Sequence, residues 1–122
     1  MQDYRKLLVW DKAHALVLII YNETKVYPKE ELFGLTSQIR RSAISIPANI
    51  AEGCGRYSNK DSCHFFQIAL GSLHETDYLL LSKDLGYIKE ETYETINKQI
   101  SEVKAMLIGL IKRIKNTVSA NL

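Results

Sequence analysis

Apolar residues recur along this chain at intervals of three and four, in four blocks separated by polar breaks. In the first block Val9, Ala13, Leu16, Ile20 and Thr24 follow one another at 4, 3, 4 and 4 positions. At about 100° per residue, that spacing keeps them on one face of a helix. Leu7, Leu8 and Trp10 lead in and are expected to pack beneath it. The stretch VYPKEELFG then breaks the pattern, with Pro28 and Gly34 as punctuation. In the second block Leu35, Ile39, Ala43, Ile46 and Ile50 form the stripe. It ends at EGCG, where Gly53 or Gly55 is expected to take the left-handed cap conformation. The third block opens at SNKD, with Ser58 as N-cap and Asp61 as the acid of a shortened capping box. Phe65, Ala69, Leu73, Thr76 and Leu80 form its stripe, widened by Phe66, Leu70 and Leu81, and Gly86 closes it. The fourth block is the cleanest: Ile96, Ile100, Val103, Leu107, Ile111 and Ile114 repeat at 4, 3, 4, 4 and 3 positions. Glu90 and Glu91 suit the positive end of its dipole, and Lys112, Arg113 and Lys115 the negative end.

The spacing predicts helices over about 9–26, 35–53, 59–85 and 90–116, with 117–122 as a flexible tail, in a single domain over 1–122. Four helices with short connections favour antiparallel neighbours. The predicted fold is all-α, an up-down-up-down antiparallel four-helix bundle.

Composition narrows the class without changing that picture. A chain of 122 residues, 46% hydrophobic and 25% charged, is long enough for one core without staples. Six glycines and two prolines lean towards helix over a turn-rich β fold. The formal charge of +2 is too small for a chain that is basic throughout. The longest apolar run, ALVLIIY, is far too short to span a bilayer, and the N-terminus does not read as a signal peptide. Cys54 and Cys63 lack the spacing of a disulfide scaffold or a metal knuckle, and reduced thiols in a cytoplasm are the simplest reading.

The second helix carries more than a core stripe. Opposite its apolar face lie Arg41, Ser45, Asn49, Glu52 and, if the helical path continues, Arg56. Ile44, Pro47, Ala48 and Ala51 occupy a flank between the two faces. Pro47 removes the bond to the Ala43 carbonyl and is expected to bend the helix, at a cost of about 3 kcal/mol in an ordinary interior. Ser42 and Ser45 are placed to satisfy the freed carbonyls. A small bundle rarely buries two faces of one helix, so the second flank is expected to meet another subunit. In the third helix Gly71 and Ser72 sit mid-helix, where glycine costs roughly 1 kcal/mol against alanine, and a close helix crossing would explain it. Glu75, one turn on, calls for an arginine. An ion-pair network of Arg40, Arg41, Glu52 and Glu75, holding helices or subunits in register, is as good a reading as a ligand site.

No residue set spells out an enzyme. His14, His64 and His74 have no metal-ligand spacing, and HETDY carries Tyr78 where a zinc-protease helix needs its second histidine. Cys54, Cys63 and His64 are expected to be buried thiols and a surface imidazole. The seven tyrosines are expected at the edge of the core. No cofactor, metal or catalytic residue is assigned. Nucleic acid is the better case. Arg40, Arg41, Arg56 and Lys60 are read as clustering around one end of the second and third helices, against Glu52 alone. Lys112, Arg113 and Lys115 form a second group.

From VWDKAHALVLIIYNETKVYPKEELFG through LTSQIRRSAISIPANIAEGCGRYS the chain strongly resembles the 23S rRNA intervening-sequence protein family, also described as four-helix-bundle proteins. The landmarks are Val9-Trp10, Lys12-Ala13, Tyr21, Pro28, Phe33-Gly34-Leu35 and Gln38-Ile39-Arg40-Arg41. They continue with Ser45-Ile46-Pro47, Asn49-Ile50-Ala51-Glu52-Gly53, Arg56, Ala69, Gly71-Ser72 and Glu75. They cover nearly the whole chain to about Tyr87; the fourth helix is generic. The resemblance implies a bundle that assembles into a ring, a pentamer, encoded in insertions of bacterial 23S rRNA genes. More distantly the chain looks like the accessory variability determinant of diversity-generating retroelements, a pentameric basic bundle that binds nucleic acid and a reverse transcriptase. The resemblance supplies no biochemical activity. The expectation is a non-enzymatic, homo-oligomeric bundle that binds RNA or other nucleic acid through Arg40, Arg41, Asn49, Arg56 and Lys60. In it, Glu52, Glu75, Pro47 and Gly71 serve structure or the subunit interface. The alternative is a protein–protein scaffold; a hydrolase built on Cys54 or His64 is the weakest reading.

Overall fold

Period 3.6 is what the backbone delivers. The structure, a computed structural model, describes residues 2–120. Its α-helices are α1 (Leu8–Glu23), α2 (Leu35–Cys54), α3 (Asn59–Leu79) and α4 (Glu90–Ala120), and no strand occurs among the described residues. The helices alternate in direction. Ser45 of α2 faces Ser72 of α3, and Ser42 faces Thr76, so these two run antiparallel. Lys12 near the start of α1 pairs with Glu102 in α4 at 3.0 Å. Arg40 early in α2 bonds Thr24, just past the end of α1. Lys83, after α3, reaches Glu90 at the first position of α4. The result is a four-helix bundle with one core.

The predicted stripes fill that core. Ile39, Ala43, Ile46 and Ile50 from α2 are fully enclosed, as are Leu16, Ile20, Phe66, Leu73, Leu80, Ile96, Val103 and Leu107. In α3 the stripe is centred on Phe66; Phe65 is only half-buried and Leu81 is exposed. Leu8 opens α1 and is exposed, while Leu7 and Trp10 pack against the core edge.

Helix ends depart from the periodic reading in an instructive way. The first stripe continues into a 3-10 turn, Thr24–Val26, where the Thr24 hydroxyl donates to the Ile20 carbonyl at 2.7 Å. The third continues as a 3-10 turn over Leu80–Leu85 and ends at Gly86, whose φ of 81° is the left-handed cap. Three residues per turn is close enough to 3.6 that an apolar pattern does not register the change. Ser58 caps α3, its hydroxyl accepting from the Asp61 N–H at 3.1 Å. The end of α2 uses no left-handed glycine: Gly55 is right-handed (φ −85°), and its N–H points back to the carbonyls of Ala51, Glu52 and Gly53. Residues 117–120, read as tail, are helical; 121 and 122 lie outside the described residues.

Alternation gives the bundle two unlike ends. One carries the α1–α2 and α3–α4 connections, tied by Tyr27 Oη and Ser82 Oγ at 2.8 Å and by packing of Tyr27 on Tyr87. The other gathers the N-terminal segment, the α2–α3 link and the last turns of α4. There the Gln2 N–H donates to the Cys54 carbonyl at 2.9 Å. Gln2, Asn59, Ser62, Arg113 and Thr117 line a shared cavity of about 460 Å³.

Candidate nucleic-acid interface

The polar row of α2 does not act as one unit. A rise of about 1.5 Å per residue puts about 20 Å between Arg41 and the end of the helix. Arg40 and Arg41 therefore belong to the connection end, and Arg56 and Lys60 to the opposite end. The single cluster expected of these four residues does not form.

Each member has its own surroundings. Arg40 is turned towards α1: its Nε donates to Thr24 Oγ1 at 2.8 Å, its Nη2 to the Tyr21 carbonyl at 3.4 Å, and its guanidinium lies 4.9 Å from the Tyr21 ring centre. It joins α1 to α2. Asn49 donates its amide to the Ser45 carbonyl and hydroxyl at 2.8 and 2.9 Å, one turn back in its own helix. The Ser45 hydroxyl meets Ser72 at 2.8 Å. The Ser42 hydroxyl donates to the Ile39 carbonyl at 3.1 Å and accepts from Thr76 at 2.9 Å. These hydroxyls make a polar seam between α2 and α3; Ser42 serves the Ile39 carbonyl and Ser45 the Ser72 hydroxyl, and neither serves the Ala43 carbonyl. Pro47 is buried inside an uninterrupted α2.

The expected network of Arg40, Arg41, Glu52 and Glu75 is absent within the chain. Glu52 pairs instead with Arg56 at 2.9 Å. Arg41 and Glu75 line one groove with Gln38, Ser45 and Ser72, yet neither has an ion-pair partner among the described residues. Gly71 is exposed, and a Cβ there would meet nothing within 4 Å, so no close crossing inside the chain explains it. The close approach is at Gly53, where a Cβ would lie 2.6 Å from Phe66 Cε1 and 3.0 Å from the Ser62 carbonyl oxygen.

The end that holds Arg56 and Lys60 is where cations gather. Lys112, Arg113 and Lys115 lie on the last turns of α4; Arg113 lines a cavity with Asn59 and Ser62 of the α2–α3 side and Lys112 a groove with Leu7, Leu8 and Val9, while Arg5 and Lys6 come from the N-terminal segment. Carboxylates on the same segments are Asp3, Asp11, Glu52 and Asp61. Asp3 already faces Arg5 at 3.7 Å and Glu52 faces Arg56. Arg56 lies just past the Gly55 cap, with its guanidinium 4.4 Å from the Phe65 ring centre. Lys60, Lys112, Arg113 and Lys115 are exposed and have no ion-pair partner among the described residues. The opposite end mixes Lys25, Lys29, Lys83 and Lys89 with Glu23, Glu30, Glu31, Asp84, Glu90 and Glu91.

Periodicity alone kept Lys112, Arg113 and Lys115 apart from Arg56. The number of helices held the missing signal, since in an up-down-up-down bundle the end of the fourth helix returns to the link between the second and third. Arg5 and Lys6 were missed because a short charged N-terminus has no pattern.

Chemistry of other kinds finds little footing. Cys54 and Cys63 are buried, and burial pushes the Cys54 thiol up. His14 stacks on Trp10 at 5.1 Å, and His64 is exposed. No group of three His, Cys, Asp or Glu among the described residues is placed to hold a metal ion. No helix among them is long and apolar enough to cross a membrane.

One all-helical core and a basic end define a four-helix-bundle protein. The chain belongs to the 23S rRNA-intervening sequence protein family, whose model matches residues 5–109. Its structure is similar to the crystal structure of a protein of unknown function from the S23 ribosomal protein family of Bacteroides thetaiotaomicron. The two chains are 36% identical, with a TM-score of 0.79, over 86% of this chain and 99% of the other. No match was found among curated proteins.

Proposed function

We propose that the protein is a non-enzymatic, homo-oligomeric bundle that binds RNA at its basic end, in a ring of copies of which the pentamer is the expected form. The observation that carries the RNA reading is the convergence of Arg5, Lys6, Arg56, Lys60, Lys112, Arg113 and Lys115 at one end of the bundle. Cations from three distant stretches of sequence are brought to one end of the bundle. A backbone of phosphates rewards such a surface through counterion release. Repetition around an oligomer multiplies the effect.

Self-association is supported by the outward side of α2 and α3. Ile44 is 49% exposed and Ile68 is 38% exposed; Ala48 and Gly71 beside them add little bulk. Arg41 and Glu75 stand at the rim of this strip without partners of their own. That same strip favours the second reading, a protein–protein scaffold, in which the polar row serves assembly alone.

The test is fluorescence anisotropy with a labelled rRNA hairpin at low and physiological salt. The protein is expected to bind with a steep salt slope. Arg56→Glu/Lys60→Glu is expected to weaken binding and flatten that slope by roughly 0.7–0.9 for each phosphate no longer neutralised. Unchanged affinity in a folded double variant removes these residues from the interface. No binding by a well-assembled protein leaves the scaffold reading.

A further inference from the structure

We infer that the basic end takes single-stranded nucleic acid, with Tyr57 as a platform on which a base stacks. The inference rests on the RNA reading above and adds the strand class.

Tyr57 is 90% exposed in the link between α2 and α3. It follows Arg56 and precedes Lys60 by three positions. Its backbone is held on both sides. The Arg56 N–H donates to the Gly53 carbonyl at 3.3 Å, and Ser58 accepts from the Asp61 N–H through its hydroxyl and from the Ser62 N–H through its carbonyl at 3.0 Å. Little ordering remains to be done in the backbone when a ligand arrives. The neighbouring guanidinium does not cover the ring, because Arg56 lies on Phe65 and is bound to Glu52. Both faces of Tyr57 stay open, flanked by the unpaired Lys60.

The two other most exposed aromatic rings among the described residues lack this setting. Phe33 is 93% exposed, but it follows Glu30 and Glu31, which repel phosphate. Tyr78 stands beside Glu75 and Asp77. Among these three rings, Tyr57 alone has cations, Arg56 and Lys60, as its nearest charged neighbours in sequence.

A base can stack on such a ring only if its own face is free. A duplex hides every base face except at its ends, whereas a single strand or a loop offers them all. Stacking accepts any base, so the surface reads strandedness and leaves sequence unread. Lys60, and Arg113 across the cavity it shares with Asn59 and Ser62, supply phosphate contacts.

The experiment compares a labelled single-stranded RNA of about 12 nucleotides, the matching DNA strand and a blunt RNA duplex of the same length. The proteins are wild type, Tyr57→Ala, Tyr57→Phe and Arg56→Glu/Lys60→Glu. Tyr57→Ala is expected to lose about tenfold in single-strand affinity with an unchanged salt slope, because stacking releases no counterions. Tyr57→Phe is expected to keep wild-type affinity. The RNA and DNA strands separate a surface that also uses the ribose hydroxyl from one that does not; equal or unequal affinities both support the inference, provided Tyr57→Ala weakens binding. Unchanged single-strand affinity in Tyr57→Ala, alongside weakened Arg56→Glu/Lys60→Glu, overturns the stacking inference and leaves the RNA reading intact. Preference for the duplex also overturns it. Binding of none of the three probes removes both. Circular dichroism checks that the variants fold, which an exposed link residue is expected to permit.

Discussion

Tyr27 shows how one hydroxyl can link distant segments. It is buried at the connection end and shares a hydrogen bond with Ser82. Burial pushes its phenol up, the Ser82 bond pulls it part of the way back, and Glu23 adds a push upward. The folded protein therefore holds this proton more tightly than the unfolded chain does. Tyr27 contributes stability that is fully present below the ordinary tyrosine range, about pH 10, and lost as pH rises through the folded value. The Tyr87 phenol is pushed up as well, so ultraviolet titration of the phenolates is expected to show a late-ionising component, which Tyr27→Phe is expected to reduce. Arg40 makes a similar point for cations. Its charge was the reason to place it in an RNA site, yet two of its three nitrogens donate to Thr24 and Tyr21 of the α1 side. A cation's role depends on where its helix azimuth aims it, and α2 aims residues 40 and 41 towards different neighbours.

Between elements the decisive variable is how near two helices come. Glycine is cheap at Gly53 for a reason that Gly71 lacks. Helix α3 brings Phe66 within 2.6 Å of the position a Gly53 Cβ would take, so Gly53→Ala is expected to cost about 1–3 kcal/mol through displaced packing. Gly71→Ala meets open space and is expected to stabilise the chain by up to roughly 1 kcal/mol through helix propensity. Urea denaturation of the two variants gives opposite shifts of midpoint if this account holds. Both glycines were visible in the sequence, but their contrast was not. The sequence suggested a left-handed cap at Gly53 or Gly55 and a crossing at Gly71; neither of the first two is left-handed, and the close approach lies at Gly53. What could be read was periodic: the stripes through Ile39–Ile50 and Ile96–Ile111 named the buried face because burial itself repeats every 3.6 residues. The ends of α1 and α3 were blurred because 3-10 turns extend nearly the same stripe. Of the site, the residue types at Arg56 and Lys60 were legible, but their company was not, since Lys112 and Arg113 join them only after three reversals of the chain.

For the whole molecule, charge is distributed along the bundle axis, basic at one end and mixed at the other, and a formal charge of +2 conceals this. The outward strip of α2 and α3 lies along the side. A ring built through that strip would set the basic ends side by side. Arg41→Ala is expected to dissociate such an assembly, read as a fall in mass by light scattering, with RNA contacts at the far end of α2 left in place. An unchanged mass would place the subunit contact elsewhere.

The hydrogen bond from Gln2 to Cys54 marks an end of the molecule that is complete only when the first residues and the last turns of α4 are both in place. Its cations come from the beginning, the middle and the last turns of the chain, so their contacts span the greatest sequence separations in the fold. Closing such long loops carries the larger entropic cost and precedes any reward from contact. A chain that has made α2 and α3 but not docked α4 owns Tyr57, Arg56 and Lys60 without Lys112 and Arg113. Ligand affinity at this end thus reports completion of the whole bundle, and a binding signal that returns late in a refolding trace would time the docking of the fourth helix.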